Sequence, residues 1–161
     1  MEYTDDYLAA LDSHQGNEQA IKSGVEKFRL SFADLTDKDI DELMTELYAA
    51  ELYFNDTIHT FTQRDDLVEY FKRTGEGLKS SRVEIHDVVE NGEDVYIRWV
   101  MEIEFRAVGK DVHSRSVGMT HLRFNEQGQV ILHQDFWDSA NALYAHIPMV
   151  GFAIRRVQKR L

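Results

Sequence analysis

The chain has no cysteine, which removes disulfides, thiolate nucleophiles and Cys-based zinc sites together. It has one proline, Pro148, and a helical pattern breaks there. No apolar run exceeds a few residues, so no stretch suits a membrane-spanning helix. Positive charge is scarce as well. Lys and Arg number 18 against 29 Asp and Glu, a net charge of −11, and such an anionic surface repels phosphate backbones. Nucleic acid is therefore not an expected partner. The cations gather at the end: Arg155, Arg156, Lys159 and Arg160 fall within the last seven residues and leave −15 on the remainder. They suit the end of a helix dipole better than a lipid surface. The acidic start Met1-Glu2-Tyr3-Thr4-Asp5-Asp6 lacks a signal-peptide pattern, and a cytoplasmic location is expected.

What is present is enough for one soluble domain with a core: 161 residues, 43% hydrophobic and 29% charged. Residues 1–16 are polar and weakly periodic, which predicts a loose extension. From Asn17, a suitable N-cap, Ile21, Val25, Phe28, Phe32 and Leu35 recur at helical spacing. Thr36-Asp37-Lys38-Asp39 approximates a capping box, followed by a second stripe of Ile40, Leu43, Met44 and Leu47. A short extended piece, Leu52–Asp56, precedes a third helix over Arg64–Gly77. After Ser80 the period changes to that of a strand. Asn91-Gly92 is a strong hairpin signal, and Val95, Ile97, Trp99, Met101, Ile103 and Phe105 alternate with polar residues. Gly109-Lys110 and Gln127-Gly128 mark the next turns. The expected fold class is α+β, with three N-terminal helices packed on an antiparallel meander, a domain over 17–147 and an apolar, then basic, tail over 148–161.

One strand carries ionisable groups. In His133-Gln134-Asp135-Phe136-Trp137-Asp138, alternation puts His133, Asp135 and Trp137 on one face and Gln134 and Phe136 on the other. Asp138 is placed to cap a C-terminal helix. On the preceding strand, His113, Arg115, Val117, Met119, His121 and Arg123 share the face opposite Thr120 and are expected on the outer side of the sheet. A metal held by His121, His133 and Asp135 would need opposite faces to converge. No metal is expected, and no cofactor.

The order of these pieces resembles the cone-shaped cystatin-like fold of the nuclear transport factor 2-like superfamily. Leu47–Asp56 is similar to its helix end and strand closing on a carboxylate, Phe124–Val130 to its F-x-x-x-G-K-I turn, and His133-Gln134-Asp135 to the H-x-D of SnoaL-like polyketide cyclases. Tyr144–Gly151 looks like the close of a bacterial subgroup. The resemblance implies helices over the concave sheet face and a pocket open at one end. It puts Asp56 at the general-base position of ketosteroid-isomerase-like members, and Asp135 at the acid/base aspartate of the cyclases. His133 would share or relay the proton. The pocket wall would include Phe32, Trp99, Met101, Ile103, Gly118, Thr120 and Trp137. Phe32 and Thr120 stand where the isomerases place oxyanion donors; Phe cannot donate, so steroid-isomerase chemistry is disfavoured. Arg98 has the wrong parity for the inward Asp–Arg–Asp relay of the epoxide hydrolases.

The expectation is a SnoaL-like small-molecule pocket protein with a small apolar molecule as its partner. Its chemistry would be that of an acid/base isomerase, cyclase or dehydratase acting on a carbonyl compound. The alternatives are a non-catalytic binding module for an apolar metabolite or lipid, and a protein-interaction adaptor. A homodimer through the convex sheet face, using Val117, Met119 and Phe136, accompanies these readings.

Overall fold

The computed structural model describes residues 3–159; Met1, Glu2, Arg160 and Leu161 lie outside the described residues. Four helices are interleaved with six strands and followed by a helical C-terminal segment. They are α1 (Thr4–Ser13), α2 (Ile21–Phe32), α3 (Ile40–Leu47), β1 (Tyr48–Asn55), β2 (Thr60–Gln63), α4 (Arg64–Gly77), β3 (Leu78–Asn91), β4 (Asp94–Ala107), β5 (Lys110–Phe124), β6 (Val130–Trp137), α5 (Ser139–Ala142) and α6 (Pro148–Gln158). The strands form one sheet in the order β2-β1-β6-β5-β4-β3. This is the α+β cone that the sequence order implies. One pairing departs from a purely antiparallel sheet: β1 runs parallel to β6. A parallel pair needs a long crossover between its strands, and here everything from β2 to β5 supplies it.

Helices α2, α3 and α4 cover the inner face. Their apolar stripes deliver Phe28, Met44, Leu47, Leu67 and Phe71 onto Phe54, Ile97, Leu122 and Phe124, all nearly or fully buried. The α4 bounds coincide with the predicted Arg64–Gly77. At the front of α2, Asn17 caps a short 3-10 turn by accepting from the Gln19 amide. The capping box expected at Thr36–Asp39 does not form. Asp34 instead accepts from the Thr36 amide and hydroxyl, and Asp37 accepts from the Asp39 amide, so the segment is a run of Asx turns. The carboxylates find nearer amides than a box would offer them.

Residues 4–13 are not a loose extension. They form α1, which lies on the outer face of the sheet with Ala10 packed on Tyr53 and Leu132. This corrects the expectation for His121 and Arg123, which are outward by parity yet buried under the helix. The Tyr7 hydroxyl reaches His121 Nδ1 at 2.7 Å, and His121 Nε2 meets Asp94 Oδ1 at 2.7 Å. Arg123 pairs with the same oxygen at 2.6 Å and donates to the carbonyls of Leu11 and His14 at the end of α1. A buried guanidinium needs such partners. The remainder of the outer face leaves Val117, Met119 and Phe136 exposed. Residues Pro148–Gln158 are helical, as α6, and none of the described helices is long and apolar enough to cross a membrane.

Two outcomes are expected. Alanine is favoured over glycine in a helix by about 1 kcal/mol. At Gly24, however, a Cβ would meet Phe124 Cδ1 at 2.3 Å, overpacking of a kind that costs about 1–3 kcal/mol. The clash decides the sign, so Gly24→Ala is expected to unfold at lower urea than the wild type; a gain in stability would show that α2 can lift off the sheet.

The second concerns acid. Burial holds His121 below its ordinary 6.5, against the pull of Asp94. Burial alone would raise Asp94, but its hydrogen bonds from Arg123 and His121 outweigh that and keep it below its ordinary 3.8. Both groups contribute stability that is present above the unfolded pKa and lost as pH falls through the folded one. The melting temperature should therefore drop as pH is lowered below about 6.5, and drop less in His121→Gln. Equal drops in the two proteins would remove His121 as the source.

Candidate functional site

The registers of β4, β5 and β6 lay three rows of side chains across the inner face. Val95 is opposite Leu122 and Leu122 opposite His133; Ile97, Thr120 and Asp135 form the next row; Trp99, Gly118 and Trp137 the third. Alternation then aims all of them at the helices. Beyond the packed core these rows face a cavity of about 170 Å³. Its wall includes seven aromatic side chains, Phe28, Phe32 and Phe71 from the helices among them. Met101, Ile103, Leu143 and Thr74 also line it. A cavity of about 150 Å³ is large enough to take benzene, so the space suits a molecule of one ring, or a little more.

His133, Asp135 and Asp56, the three expected acid/base residues, all border this cavity, but they are held differently. Asp135 Oδ1 accepts from Thr120 Oγ1 at 2.5 Å and from His133 Nε2 at 2.9 Å. Its Oδ2 accepts nothing among the described residues, although the side chain is only 16% exposed. Both oxygens of Asp56 are occupied. Oδ1 takes the amides of Ile58 and His59, at 2.9 and 2.7 Å, and Oδ2 takes the Tyr70 hydroxyl. Asp56 thus closes the turn after β1, where Thr57 adopts a positive φ of 72°. The structure gives it the turn-forming position, and gives Asp135 the open oxygen.

Behind the pair stands a residue that no sequence pattern singles out. Tyr48, at the junction of α3 and β1, is fully buried, and its hydroxyl lies 2.8 Å from His133 Nδ1. The polarity follows from Asp135, which only accepts: Nε2–H donates to the carboxylate, and Nδ1 accepts from the phenol. Burial pushes the Tyr48 phenol well above its usual range, with the Asp135 and Asp56 carboxylates adding to it. The hydroxyl therefore keeps its proton. Burial, followed by the neighbouring Asp56, raises Tyr70 in the same way.

The remaining sequence-derived wall residues separate into two groups. Phe32, Trp99, Met101, Ile103, Thr120 and Trp137 line the cavity. Gly118 does not. A Cβ there would sit 2.4 Å from Trp99 Cζ2 and 2.9 Å from Trp137 Cβ, so Gly118 is the floor on which the Trp99 indole lies. The expected ligand contact is corrected to a steric allowance. Thr120 donates to Asp135 and accepts from Trp99 Nε1 at 2.8 Å, while Trp137 Nε1 donates to the Asp56 carbonyl at 2.8 Å. Among the described residues, every side-chain donor of the wall other than the Thr74 hydroxyl already has an acceptor, and Phe32 has none to give. Arg98 points outward and pairs with Asp87, so it does not join the aspartates in a relay. His121 and His133 lie on opposite faces, and no group of three or more metal-ligating side chains is found among the described residues.

A family model, the SnoaL-like domain, matches residues 28–133, well over half of the chain. The chain belongs to that family. The match ends at His133 and leaves Asp135 just beyond it. Solved structures agree on the fold. A protein with a ketosteroid isomerase-like fold from Catenulispora acidiphila, in complex with trimethylamine, superposes with a TM-score of 0.62 at 22% identity, covering 73% of this chain and 89% of its own. A protein from Shewanella denitrificans, described as a SnoaL-like polyketide cyclase on assignment alone, gives 0.63 at 16% identity, over 73% and 92%. An LEH-like epoxide hydrolase from M. tuberculosis gives 0.56 at 15% identity, over 77% and 86%. No curated protein matches the sequence.

Removing the Tyr48 hydroxyl tests the polarity of this chain of bonds. Tyr48→Phe leaves a buried ring nitrogen without its donor, which is expected to cost about 1–3 kcal/mol of stability. In ¹⁵N spectra the proton of His133 should sit on Nε2 in the wild type and stay there in the variant, because the Asp135 carboxylate still accepts it. A wild-type proton on Nδ1 would reverse the polarity.

Proposed function

We propose that the cavity takes one small, mostly apolar molecule and that Asp135 moves a proton on it, as general base toward a carbon beside a carbonyl. One observation carries this reading. Asp135 offers an uncommitted oxygen to an apolar space while its other oxygen is clamped by Thr120 and His133. A positioned base of this kind contributes on the order of 10²–10⁴ in rate. The clamp fixes the direction of the free lone pairs, and the Tyr48–His133 pair behind it fixes the clamp. Isomerisation, aldol-type cyclisation and dehydration all begin with such a proton transfer. The size of the cavity argues for a substrate of one or two rings rather than a long fused polyketide.

The committed donors favour a second reading. A hydrogen-bond donor placed for a developing oxyanion is worth about 3 kcal/mol, and the wall supplies none beyond Thr74. A non-catalytic binding module for a small apolar metabolite needs no such donor.

Hydrogen exchange separates the two without knowledge of the natural substrate. Cyclohexanone incubated with the protein in heavy water should exchange its α-protons faster than in buffer, and Asp135→Asn should lose about 100-fold or more of that excess. Wild-type protein that binds the ketone but does not speed its exchange would replace the catalytic reading with the binding one.

A further inference from the structure

We infer that the molecule held in this cavity carries a positively charged nitrogen with at least one N–H: a small protonated alkylamine. This rests on the reading that the cavity is the ligand site, and it takes that site as a binding one, in which the open oxygen of Asp135 pairs with the ligand rather than removing a proton from carbon. Three features of the wall point the same way.

The first is the hydrogen-bonding inventory. Thr120, Trp99, Trp137, Tyr48 and Tyr70 all donate to acceptors within the protein. A neutral ligand with a carbonyl or ether oxygen would therefore lose water and find almost no donor in return. The uncommitted polar atom is an acceptor, Asp135 Oδ2. Its complement is a ligand that donates, and an N–H of an ammonium does so with charge.

The second is electrostatic. Among the described residues no Lys or Arg lines the cavity, and the two carboxylates that border it are Asp56 and Asp135. Asp56 has three donors, and none is a cation. Asp135 has a hydroxyl and an imidazole. Among the described residues, negative charge at the wall is thus left without a cationic side chain against it. A buried ionic group is stable when paired, and a cationic ligand supplies the pairing.

The third is the aromatic wall. The two indole N–H groups are committed to acceptors within the protein, so what Trp99 and Trp137 can offer an occupant is ring surface. Phe28 and Phe32 stack at 4.4 Å between centroids, and Phe71 meets Phe32 edge-on at 5.5 Å. Aromatic walls hold the alkyl shell of an ammonium by contact and its charge by the ring quadrupole. A wholly apolar ligand would use the same contacts but leave Asp135 desolvated and unpaired. A cationic ligand answers both needs.

The test compares cyclohexylammonium with cyclohexanol, which share a ring and differ in charge, by calorimetry and by the indole N–H signals of Trp99 and Trp137. Cyclohexylammonium is expected to bind at least tenfold tighter, and Asp135→Asn to remove that preference while cyclohexanol binding is kept. Equal binding of the two by the wild type would overturn the cationic class and leave the pocket reading in place. A preference that survives in Asp135→Asn would overturn the assignment to this carboxylate. Neither compound binding or moving the indole signals would overturn the pocket reading itself, and this inference with it. The wild-type comparison decides the first point even where the variant fails to fold.

Discussion

A buried polar group must find a partner or be left at a cost of about 1–3 kcal/mol, and the inner face of this sheet is arranged around that constraint. Five side chains from four strands, Tyr48, His133, Asp135, Thr120 and Trp99, satisfy one another in a single line of hydrogen bonds. The line starts at the junction of α3 with the sheet and ends on β4, so it crosses most of the sheet. None of its members can turn away without stranding a neighbour in a low-dielectric interior. This line leaves exactly one side of one carboxylate facing the cavity, and the proposed chemistry and ligand class both begin there.

The outer face solves the same problem with different groups. Here the constraint is a guanidinium. Arg123 is held by two acidic residues and by the last carbonyls of α1, while Tyr7 closes over His121. The helix is fastened by polar contacts at its end and by Ala10, Tyr53 and Leu132 along its side. Two polar networks, one on each face of the same strands, thus fix the sheet between the inner helices and α1.

Much of this was legible in the sequence, and what was not has a physical reason. Strand parity placed His133, Asp135, Thr120 and Trp137 on one face, because period-2 alternation survives in long, regular hairpins. Helix α4 was legible to its ends, since its apolar stripe is flanked by a strand on either side. Tyr48 was not: it ends a helical stripe, and nothing local says that its hydroxyl will meet a residue 85 positions away. Helix α1 was missed because its sequence is acidic and has few apolar positions. Its stability comes from Arg123 and His121, which lie far along the chain. Parity alone sent those two residues outward and could not show that a helix would cover them. Gly118 was assigned to the cavity by the same parity, which describes where a side chain would point but not that the indole of the neighbouring strand needs the space.

Gly118 has a broader bearing on the cavity. Because the Trp99 ring rests directly on that backbone, the depth of the cavity is set from beneath, by a position that touches no occupant. Any side chain there would displace the indole toward the helices and shrink the room available, with the hydrogen bond to Thr120 resisting the movement. Related chains sharing this architecture can therefore differ in the bulk of what they accept through one residue hidden behind the wall, without altering a group that meets the guest.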